Sequence, residues 1–326
     1  MRRRSLGRTG FKVSEVGFGG WGIGKALWGR TDDAESLKAL AAALDAGIDF
    51  FDTALAYGDG HSEELIGKAL KETGGTATVA TKIPPKNWEW PARPWMSLAR
   101  AFPPDWIVSC TERSLRHLRR DRIDLQQFHV WQDKWLQDPQ WPETAAAVAG
   151  LKKAGKIRCI GVSTNEDDPD TALEVVRGGF ADSVQALFNL FDQRAAESLL
   201  PLCRKMDVGV VARCPFDEGS LTGMLTPSTR FEPGDFRGHY FGGDRLAEAC
   251  RRVAALGESA LGPKAPTLPV AALKFALSFE AVSTVIPGMR RPAHVAQNVL
   301  AADGRYFDLR ELQALAKHRW VRDFYI

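Results

Sequence analysis

The sequence predicts an α/β fold of the (β/α)8 or TIM-barrel type, with an N-terminal β-hairpin and extra C-terminal helices. Short apolar runs alternate with amphipathic helical patterns along the chain, and most connections between them are short. The apolar runs give eight strand candidates, which is the number that closes such a barrel. No linker composition interrupts the alternation, so we expect a single barrel domain over residues 1–326.

The elements can be predicted in order from the N terminus. Residues 2–6 and 11–13 flank Gly-Arg-Thr-Gly, which predicts the hairpin. The strand candidates are 16–18, 48–52, 78–82, 124–130, 157–163, 183–188, 209–213 and 283–287. Helical patterns lie at 32–46, 62–72, 105–118, 142–154, 169–178, 194–206, 245–261, 270–278, 292–300 and 309–317. Gly47 follows the first helix and predicts its C-terminal stop.

Three stretches between these elements are not ordinary turns. The first strand candidate runs into Gly17-Phe-Gly-Gly-Trp-Gly-Ile-Gly24, but no helical pattern begins until Asp32. This stretch is therefore not the Gly-x-Gly-x-x-Gly fingerprint of dinucleotide-binding folds. Residues 83–104 contain three tryptophans and six prolines, and residues 216–240 are rich in Gly, Thr and Pro. Long loops at the carboxyl end of a barrel commonly form lids or pocket walls, which we expect of both.

Composition narrows the function classes. The net charge is only +3, which does not favour a nucleic-acid surface, because such a surface needs clustered Lys and Arg. No apolar run is long enough for a membrane helix, and none follows Arg2, Arg3 and Arg4 as it would in a signal peptide. Five widely spaced cysteines and six scattered histidines fit neither a disulfide framework nor a metal site. We expect a cytoplasmic, metal-free protein with a small-molecule partner and no nucleic-acid or membrane partner.

Polar side chains stand at the C-terminal ends of successive predicted strands. Asp52, Lys82, His129 and Ser163 occupy these ends, and Tyr57 lies one loop beyond Asp52. Barrels place their catalytic groups at these positions. Lysine is rarely buried without a partner, so Lys82 predicts an ion pair with Asp52 on the neighbouring strand. Each residue alone is more often structural, but several at equivalent heights predict a functional site.

Motifs along almost the whole chain resemble those of the aldo-keto reductase family. They are, in order, Gly17-Phe-Gly-Gly-Trp21, Gly47-Ile-Asp-Phe-Phe-Asp-Thr-Ala54 with Tyr57-Gly58, Ser62-Glu-Glu-Leu-Ile-Gly67, Ala80-Thr-Lys82, Asp124-Leu with His129, Ile160-Gly-Val-Ser163, Val184-Gln185 with Asn189, Ala212-Arg-Cys-Pro215 with Leu221-Thr-Gly223, and Val285-Ile-Pro-Gly288 with Gln297-Asn298. The resemblance implies an NAD(P)H-dependent oxidoreductase that reduces aldehydes and ketones to alcohols.

The resemblance also implies a catalytic tetrad of Asp52, Tyr57, Lys82 and His129. Tyr57 would give the proton, and its ordinary pKa of about 10 is high for that task. We expect the Lys82 ammonium to lower this pKa, Asp52 to keep Lys82 charged, and His129 to orient the carbonyl oxygen. The hydride would come from the nicotinamide.

The cofactor residues implied by the resemblance are Gly20, Trp21, Asp52, Ser163, Thr164, Gln185, Arg213, Cys214, Pro215, Phe216, Gly219, Leu221, Pro287, Gly288, Arg290, His294, Gln297 and Asn298. Thr164 stands where the family usually has asparagine, with Asn165 one place on. Gly288 and His294 replace a lysine and an arginine that many NADPH-dependent members have. Arg290 and Arg291 supply charge nearby, which suits a 2′-phosphate. We expect NADPH, and NADH remains possible.

Aromatic residues predict the substrate side of the site. Trp28, Tyr57, Trp88, His129 and Trp131 are the candidate substrate contacts, and an aromatic mouth favours aromatic or bulky aldehydes and ketones. We expect Trp106 and Trp141 to pack loops on the barrel instead. Two alternatives remain: a redox-sensing, nucleotide-binding regulatory subunit with little turnover, and a scaffold that binds nucleotide without turnover. The intact tetrad argues against the regulatory subunit, and the oligomeric state is left open.

Overall fold

The computed structural model describes residues 1–25, 27–29 and 31–325, and their side chains except that of Glu258. The strands in these residues are β1 (Arg3–Ser5), β2 (Lys12–Ser14), β3 (Phe18–Gly19), β4 (Phe50–Asp52), β5 (Thr78–Ile83), β6 (Ile123–Phe128), β7 (Ile157–Ser163), β8 (Ser183–Leu187), β9 (Gly209–Arg213) and β10 (Val282–Val285). The α-helices are α1 (Asp33–Asp45), α2 (His61–Thr73), α3 (Leu98–Ala101), α4 (Pro104–Leu118), α5 (Trp141–Lys153), α6 (Leu173–Arg177), α7 (Leu199–Lys205), α8 (Phe236–Tyr240), α9 (Arg245–Ala260), α10 (Leu268–Leu277), α11 (Pro292–Asn298) and α12 (Leu309–Ala316).

Strands β3 to β10 form one parallel sheet in which each strand pairs with its neighbours in sequence. The two edges of the sheet meet. The Gly17 amide donates to the Val285 carbonyl at 2.8 Å, and the Val285 amide donates to the Glu15 carbonyl at 2.9 Å. Val16 and Val285 also pair in a parallel bridge. The sheet therefore closes on itself, and the predicted (β/α)8 barrel is confirmed.

The predicted N-terminal hairpin closes the amino end of the barrel. β1 and β2 pair antiparallel. Leu6 and Val13 next to the turn are fully buried and pack with Phe50, Leu125 and Val211 from three barrel strands. The hairpin therefore closes the amino end of the barrel with apolar side chains.

The predicted boundaries agree closely with the structure, and the larger differences have local causes. The helices predicted at 169–178 and 194–206 each begin with a 3₁₀ turn, so α6 and α7 are shorter than predicted. The short helices α3 and α8 lie inside the two long connections and were not predicted. Gly47 follows α1 with a φ of +82°, which confirms the stop signal. No helix in the described residues is both long and apolar enough to cross a membrane.

Candidate active site

Alternation along the barrel strands turns polar side chains inward at the carboxyl end. Phe50 packs at the barrel floor, so Asp52, two residues further along β4, also faces inward one layer higher. The same step leads from Ala80 at the floor to Lys82 on β5. Asp52 lies opposite Ala80 in the parallel register. The carboxylate and the ammonium predicted from strand ends therefore face the same interior.

Asp52 and Lys82 form a buried ion pair. Lys82 Nζ donates to Asp52 Oδ1 at 2.6 Å and to the Thr53 carbonyl oxygen at 2.8 Å. The two side chains are 3% and 0% exposed, respectively. An unpaired buried ammonium is strongly unfavourable, so the pair explains how a lysine can stand near the end of a buried strand.

Two glutamines bind the other oxygen of Asp52. Gln185 Nε2 donates to Asp52 Oδ2 at 2.8 Å, and Gln127 Nε2 lies 3.4 Å from the same oxygen. Gln185 was predicted as a cofactor residue, and its amide nitrogen is engaged here with the carboxylate. Gln127 was not predicted, although it stands two residues before His129 and therefore shares the inward face of β6. Together the contacts fix the orientation of Asp52.

Tyr57 lies on the loop between β4 and α2, with its hydroxyl against the ion pair. Lys82 Nζ is 3.3 Å from Tyr57 Oη and 5.0 Å from the centre of its ring. The loop reaches this position through a close contact of Gly58, whose φ is +69°, with Gly24. A Cβ on Gly58 would lie 1.9 Å from the Gly24 carbonyl oxygen. Only glycine fits there, and it places the phenol.

Burial controls the ionisation of these groups. It is the main cause that raises the pKa of Tyr57 well above 10, and Asp52 adds to it. The net shift of the Tyr57 pKa is therefore opposite to the lowering expected from the Lys82 ammonium, because lost hydration is its largest cause. Burial lowers the pKa of Lys82 against the opposing effect of Asp52. Burial, with Lys82 and Arg213, also holds the pKa of His129 well below 6.5. At neutral pH the phenol is protonated and the imidazole is neutral.

His129 follows β6 directly and stands beside the phenol. The rings of His129 and Tyr57 meet edge-on, with centroids 5.6 Å apart. His129 Nδ1 is buried and has no hydrogen-bond partner in the described part of the chain. The backbone amide of His129 donates to the Ile83 carbonyl at 3.0 Å, which continues the pairing of β6 with β5. The four residues predicted as a tetrad therefore lie together.

One group of aromatic rings lies beside Tyr57. Trp21, predicted as a cofactor residue, stacks next to Tyr57 at 6.1 Å. Trp28 meets Trp21 edge-on at 5.3 Å. Gly20 precedes Trp21, and its amide donates to the Asp52 carbonyl at 2.8 Å. The glycine-rich loop thus brings Trp21 and Trp28 close to the Tyr57 phenol.

A second aromatic group lies beside His129. Trp90 meets His129 edge-on at 5.6 Å, and Trp88 lies 5.7 Å from Trp90. Trp88 was predicted as a substrate contact but is 55% exposed and touches the site through Trp90. Trp90 was not predicted to have a role, because the tryptophan-rich loop has no periodicity that would assign its direction. The structure makes Trp90 the ring of this loop that faces the site.

Trp131 is a correction to the predicted substrate contacts. Its side chain is fully buried and packs at 5.5 Å from Phe128 and 5.7 Å from Trp135. Its Nε1 donates to Asp133 at 3.0 Å. Residues i and i+2 share a face only while the chain is extended, and β6 has already ended at Phe128. Trp131 is therefore part of the core and not of the site, in spite of its closeness to His129 in sequence.

Strands β7, β8 and β9 carry the predicted residues Ser163, Gln185 and Arg213 near the carboxyl end of the barrel. Ser163 pairs with Gln185 in the register of β7 and β8, and both are buried. Arg213 ends β9, and its Nη2 donates to the Thr164 carbonyl and lies 3.2 Å from both that oxygen and Glu166 Oε1. Arg213 Nε and Thr164 Oγ1 are buried without hydrogen-bond partners in the described residues.

The segment after β9 has an unusual backbone and is held by the C-terminal residues. Cys214, Asp217 and Glu218 have φ values of 51°, 48° and 53°, in the left-handed region that non-glycine residues rarely adopt. Arg322 forms an ion pair with Asp217, and Tyr325 Oη donates to Glu218 at 2.5 Å. These contacts stabilise a loop conformation that the sequence pattern did not reveal.

The other predicted residues of this segment differ in how far their side chains are buried. Pro215 is buried and Phe216 is half-buried. The Phe216 carbonyl accepts from the amides of Gly219 and Leu221 at 2.9 and 3.1 Å. The Leu221 side chain is fully buried in the apolar core, so only its backbone can contact a ligand. The Cys214 thiol accepts from Tyr325 Oη, with Sγ 3.6 Å from the hydroxyl oxygen.

The segment after β10 lies against the glycine-rich loop. Pro287 and Gly288 continue from the last strand, and Gly288 bridges to Gly19. Arg290 Nη1 donates to the Trp28 carbonyl at 2.8 Å, and the Arg290 amide donates to His294 Nδ1 at 3.3 Å. Burial, aided by the neighbouring arginines, lowers the pKa of His294 below 6.5. Arg290 thus has a structural contact in addition to its predicted role, and His294 is neutral at pH 7.

Residues on α11 complete the predicted set. Gln297 is exposed, whereas Asn298 is buried and its Nδ2 has no hydrogen-bond partner among the described residues. Thr164 Oγ1, Arg213 Nε and His129 Nδ1 share this state. Leaving a buried polar atom unpaired is unfavourable. These unpaired polar atoms lie at both ends of the predicted site. They fit a nicotinamide nucleotide, because its amide, hydroxyl and phosphate groups could form hydrogen bonds with them. No cluster of metal-ligating side chains occurs in the described residues.

A family comparison decides how this arrangement is classified. The model of the aldo/keto reductase family matches residues 15–319. The chain belongs to the aldo/keto reductase family. Its members are nicotinamide-dependent oxidoreductases, and the protein is an NAD(P)H-dependent enzyme that reduces aldehydes or ketones to alcohols.

Individual aldo/keto reductases are similar to the chain. Aldo-keto reductase YhdN of Bacillus subtilis (strain 168) is 39% identical over 246 residues, which are 73% of this chain and 69% of YhdN. The NADH-specific methylglyoxal reductase of Escherichia coli (strain K12) is 29% identical over 310 residues, covering 92% and 93% of the two chains. The structure of a glycerol dehydrogenase from Gluconobacter oxydans superposes with a TM-score of 0.79 at 30% identity, covering 97% of this chain and 94% of that one.

Proposed function

We propose that Tyr57 protonates the carbonyl oxygen of an aldehyde or ketone during its reduction. The observation that carries the proposal is the position of Lys82 Nζ, 3.3 Å from Tyr57 Oη within the buried ion pair with Asp52. A bound nicotinamide supplies the hydride that adds to the carbonyl carbon. The carbonyl bond opens towards oxygen, and this oxygen takes the proton of Tyr57.

The shifted pKa values suit this proton transfer. Burial keeps Tyr57 protonated because it raises the pKa of the phenol. The phenol therefore carries its proton before the substrate binds. Burial also lowers the pKa of Lys82, which makes its ammonium a stronger hydrogen-bond donor to a phenolate. As Tyr57 gives up its proton, Lys82 stabilises the negative charge left on the oxygen.

His129 is suited to orient the substrate. Its lowered pKa keeps the imidazole neutral, so one ring nitrogen carries a hydrogen and can donate to the carbonyl oxygen. Its ring meets Tyr57 edge-on at 5.6 Å, which supports a position for the carbonyl between the two side chains. A neutral donor also avoids a second positive charge beside Lys82.

The positive charge after β10 supports NADPH as the preferred nucleotide. Arg290 is partly buried and bound to the first loop through the Trp28 carbonyl, and Arg291 is exposed and forms no salt bridge in the described part of the chain. A phosphate attracts such guanidinium groups through charge-assisted hydrogen bonds. We assign the 2′-phosphate to this pair, with Arg291 as the freer partner.

Steady-state oxidation of NADPH and NADH with a panel of small and aromatic aldehydes tests the function. We expect turnover with both substrate groups and a higher kcat/KM with NADPH. Tight nucleotide binding without turnover on any aldehyde or ketone would contradict the proposal and favour the regulatory-subunit alternative.

A further inference from the structure

The side chain of Asn165 links two loops at the carboxyl end of the barrel. It is 3% exposed and follows β7 by two residues. Asn165 Oδ1 accepts from the Ala92 amide at 3.0 Å, and Asn165 Nδ2 donates to the Ala92 carbonyl at 2.7 Å. Both ends of the carboxamide are therefore engaged with one residue of the tryptophan-rich loop.

The tryptophan-rich loop, residues 83–104, is fixed at its two ends by other contacts. Trp106 Nε1 donates to the Pro84 carbonyl at 2.8 Å, and the Leu98 amide donates to Asp138 at 3.0 Å. Between these ends the loop is attached through Asn165 at Ala92, through Trp135 Nε1, which donates to the Met96 carbonyl at 2.7 Å, and through a partly exposed ion pair at 2.7 Å between Arg93 and Asp167. Of these contacts, those of Asn165 and Trp135 are buried, and Asn165 is the one that holds Ala92, two residues after Trp90.

The attachment lies next to the ring that faces the site. Trp90 precedes Ala92 by two residues and meets His129 edge-on at 5.6 Å. Trp90 is 37% exposed, so part of its surface is open beside the imidazole. A carbonyl compound bound at His129 would place its remaining part against this ring.

We propose that Asn165 is a positioning residue for substrate selectivity: by holding Ala92 it keeps Trp90 edge-on against His129, where the ring contacts the aromatic or bulky part of a carbonyl substrate. Trp90 is then the selectivity-determining contact, and Asn165 acts through it. The inference depends on the proposed function in that His129 must be the place where the carbonyl binds.

A cycle of variants tests this coupling. The ratio of kcat/KM for 2-naphthaldehyde to that for propanal is measured for the wild type, Asn165→Ala, Trp90→Ala and the double variant. We expect Trp90→Ala to lower the ratio about threefold to tenfold, as the loss of an aromatic contact does. Asn165→Ala should lower it to a similar extent when Trp90 is present and by less than about twofold when Trp90 is already alanine. Equal losses in both backgrounds would overturn the proposal.

The matched control is Arg93→Ala, which removes a partly exposed attachment of the same loop. A partly exposed ion pair contributes little, so the ratio should change by less than about twofold. A loss equal to that of Asn165→Ala would show that any loosening of the loop has this effect, and would overturn the specific role of Asn165.

Hydrogen exchange provides a measurement that does not depend on turnover. In the wild type the amide of Ala92 is protected by Asn165, and exchange in the peptide spanning residues 84–102 should become at least about fivefold faster in Asn165→Ala. Unchanged exchange would overturn the positioning role. If exchange becomes faster but the protein reduces no aldehyde, the proposed function is wrong and the contact of Asn165 with the loop still holds.

Discussion

Lys82 Nζ lies 2.6 Å from Asp52 Oδ1 and 3.3 Å from Tyr57 Oη, so one buried ammonium contacts a carboxylate and a phenol at once. Burial moves the pKa of Lys82 down and the pKa of Tyr57 up. The two groups share an environment that stabilises neither the free phenolate nor an unpaired ammonium. Their juxtaposition therefore makes the ion pair important for both stability and chemistry.

Asp52→Asn should destabilise the fold because it leaves Lys82 buried without an opposite charge. Removing one partner of a buried pair costs about 3–5 kcal/mol, measured as the free energy of unfolding in urea. The double variant Asp52→Asn with Lys82→Met removes both charges and should recover much of that loss. An unchanged stability of the single variant would contradict the buried pair.

Outside the site, His117 should make stability depend on pH. Its Nδ1 lies 3.1 Å from Glu63 Oε2, and the hydrogen bond to this carboxylate is the main cause that raises the pKa of His117 above 6.5. A group whose pKa is higher in the folded state stabilises it below its unfolded pKa and loses that effect as pH rises through the folded pKa.

The difference in unfolding free energy between the wild type and His117→Gln should therefore shrink as pH rises from about 6 to about 9. Parallel urea titrations across this range measure it. A difference that stays constant or grows with pH would show that protonated His117 does not stabilise the folded chain.

Strand ends and their spacing predicted the ion pair, because a lysine near the end of a buried strand requires a carboxylate and Asp52 was available on the next strand. The phenol followed from its place one loop later. Such inferences succeed where the backbone is regular and its period of two assigns each side chain to a face. The same period of two could have identified Gln127 as a site residue, because Gln127 lies on the inward face of β6 and contacts Asp52.

The same sequence could not place the tryptophans or the C-terminal contacts. Trp131 lies just past the end of β6, where the period of two no longer applies, and it is buried in the core. Trp90 faces His129 from a loop without periodicity, and the side chain that contacts this loop at Ala92, Asn165, is 73 positions away in sequence. The ion pair of Arg322 with Asp217 spans 105 positions, a separation that no local pattern encodes. The direction of the Tyr57 pKa also depends on burial, which the sequence does not show.

Trp131→Ala should act on stability and not on substrate choice. Truncating a large aromatic core residue destabilises a protein by about 3–5 kcal/mol, and the ratio of kcat/KM between bulky and small aldehydes should stay unchanged. Trp95→Ala is the control, since Trp95 is 83% exposed and its loss should change stability by less than about 0.5 kcal/mol. A selective loss with bulky aldehydes would return Trp131 to the substrate contacts.

Arg291→Ala should weaken NADPH binding and leave NADH binding nearly unchanged. A lost charge-assisted hydrogen bond of about 1.5–3 kcal/mol corresponds to roughly a tenfold to hundredfold rise in the Kd for NADPH. Arg290→Ala is less specific, because it also releases the Trp28 carbonyl. The control is Arg310→Ala, which removes an exposed arginine from α12 and makes the same change in net charge. Equal effects of Arg291→Ala on both nucleotides would exclude contact with the 2′-phosphate.

The most direct test of the central assignment is the rate of carbonyl reduction by Tyr57→Phe at saturating NADPH, measured together with the Kd for NADPH. Removing only the hydroxyl leaves the ring beside Trp21 and takes away the proton donor. We predict that kcat falls about 10²- to 10⁴-fold, as expected for loss of a general acid, while the Kd for NADPH changes by less than about twofold. A variant that reduces aldehydes at nearly the wild-type rate would contradict the assignment of Tyr57 as the proton donor.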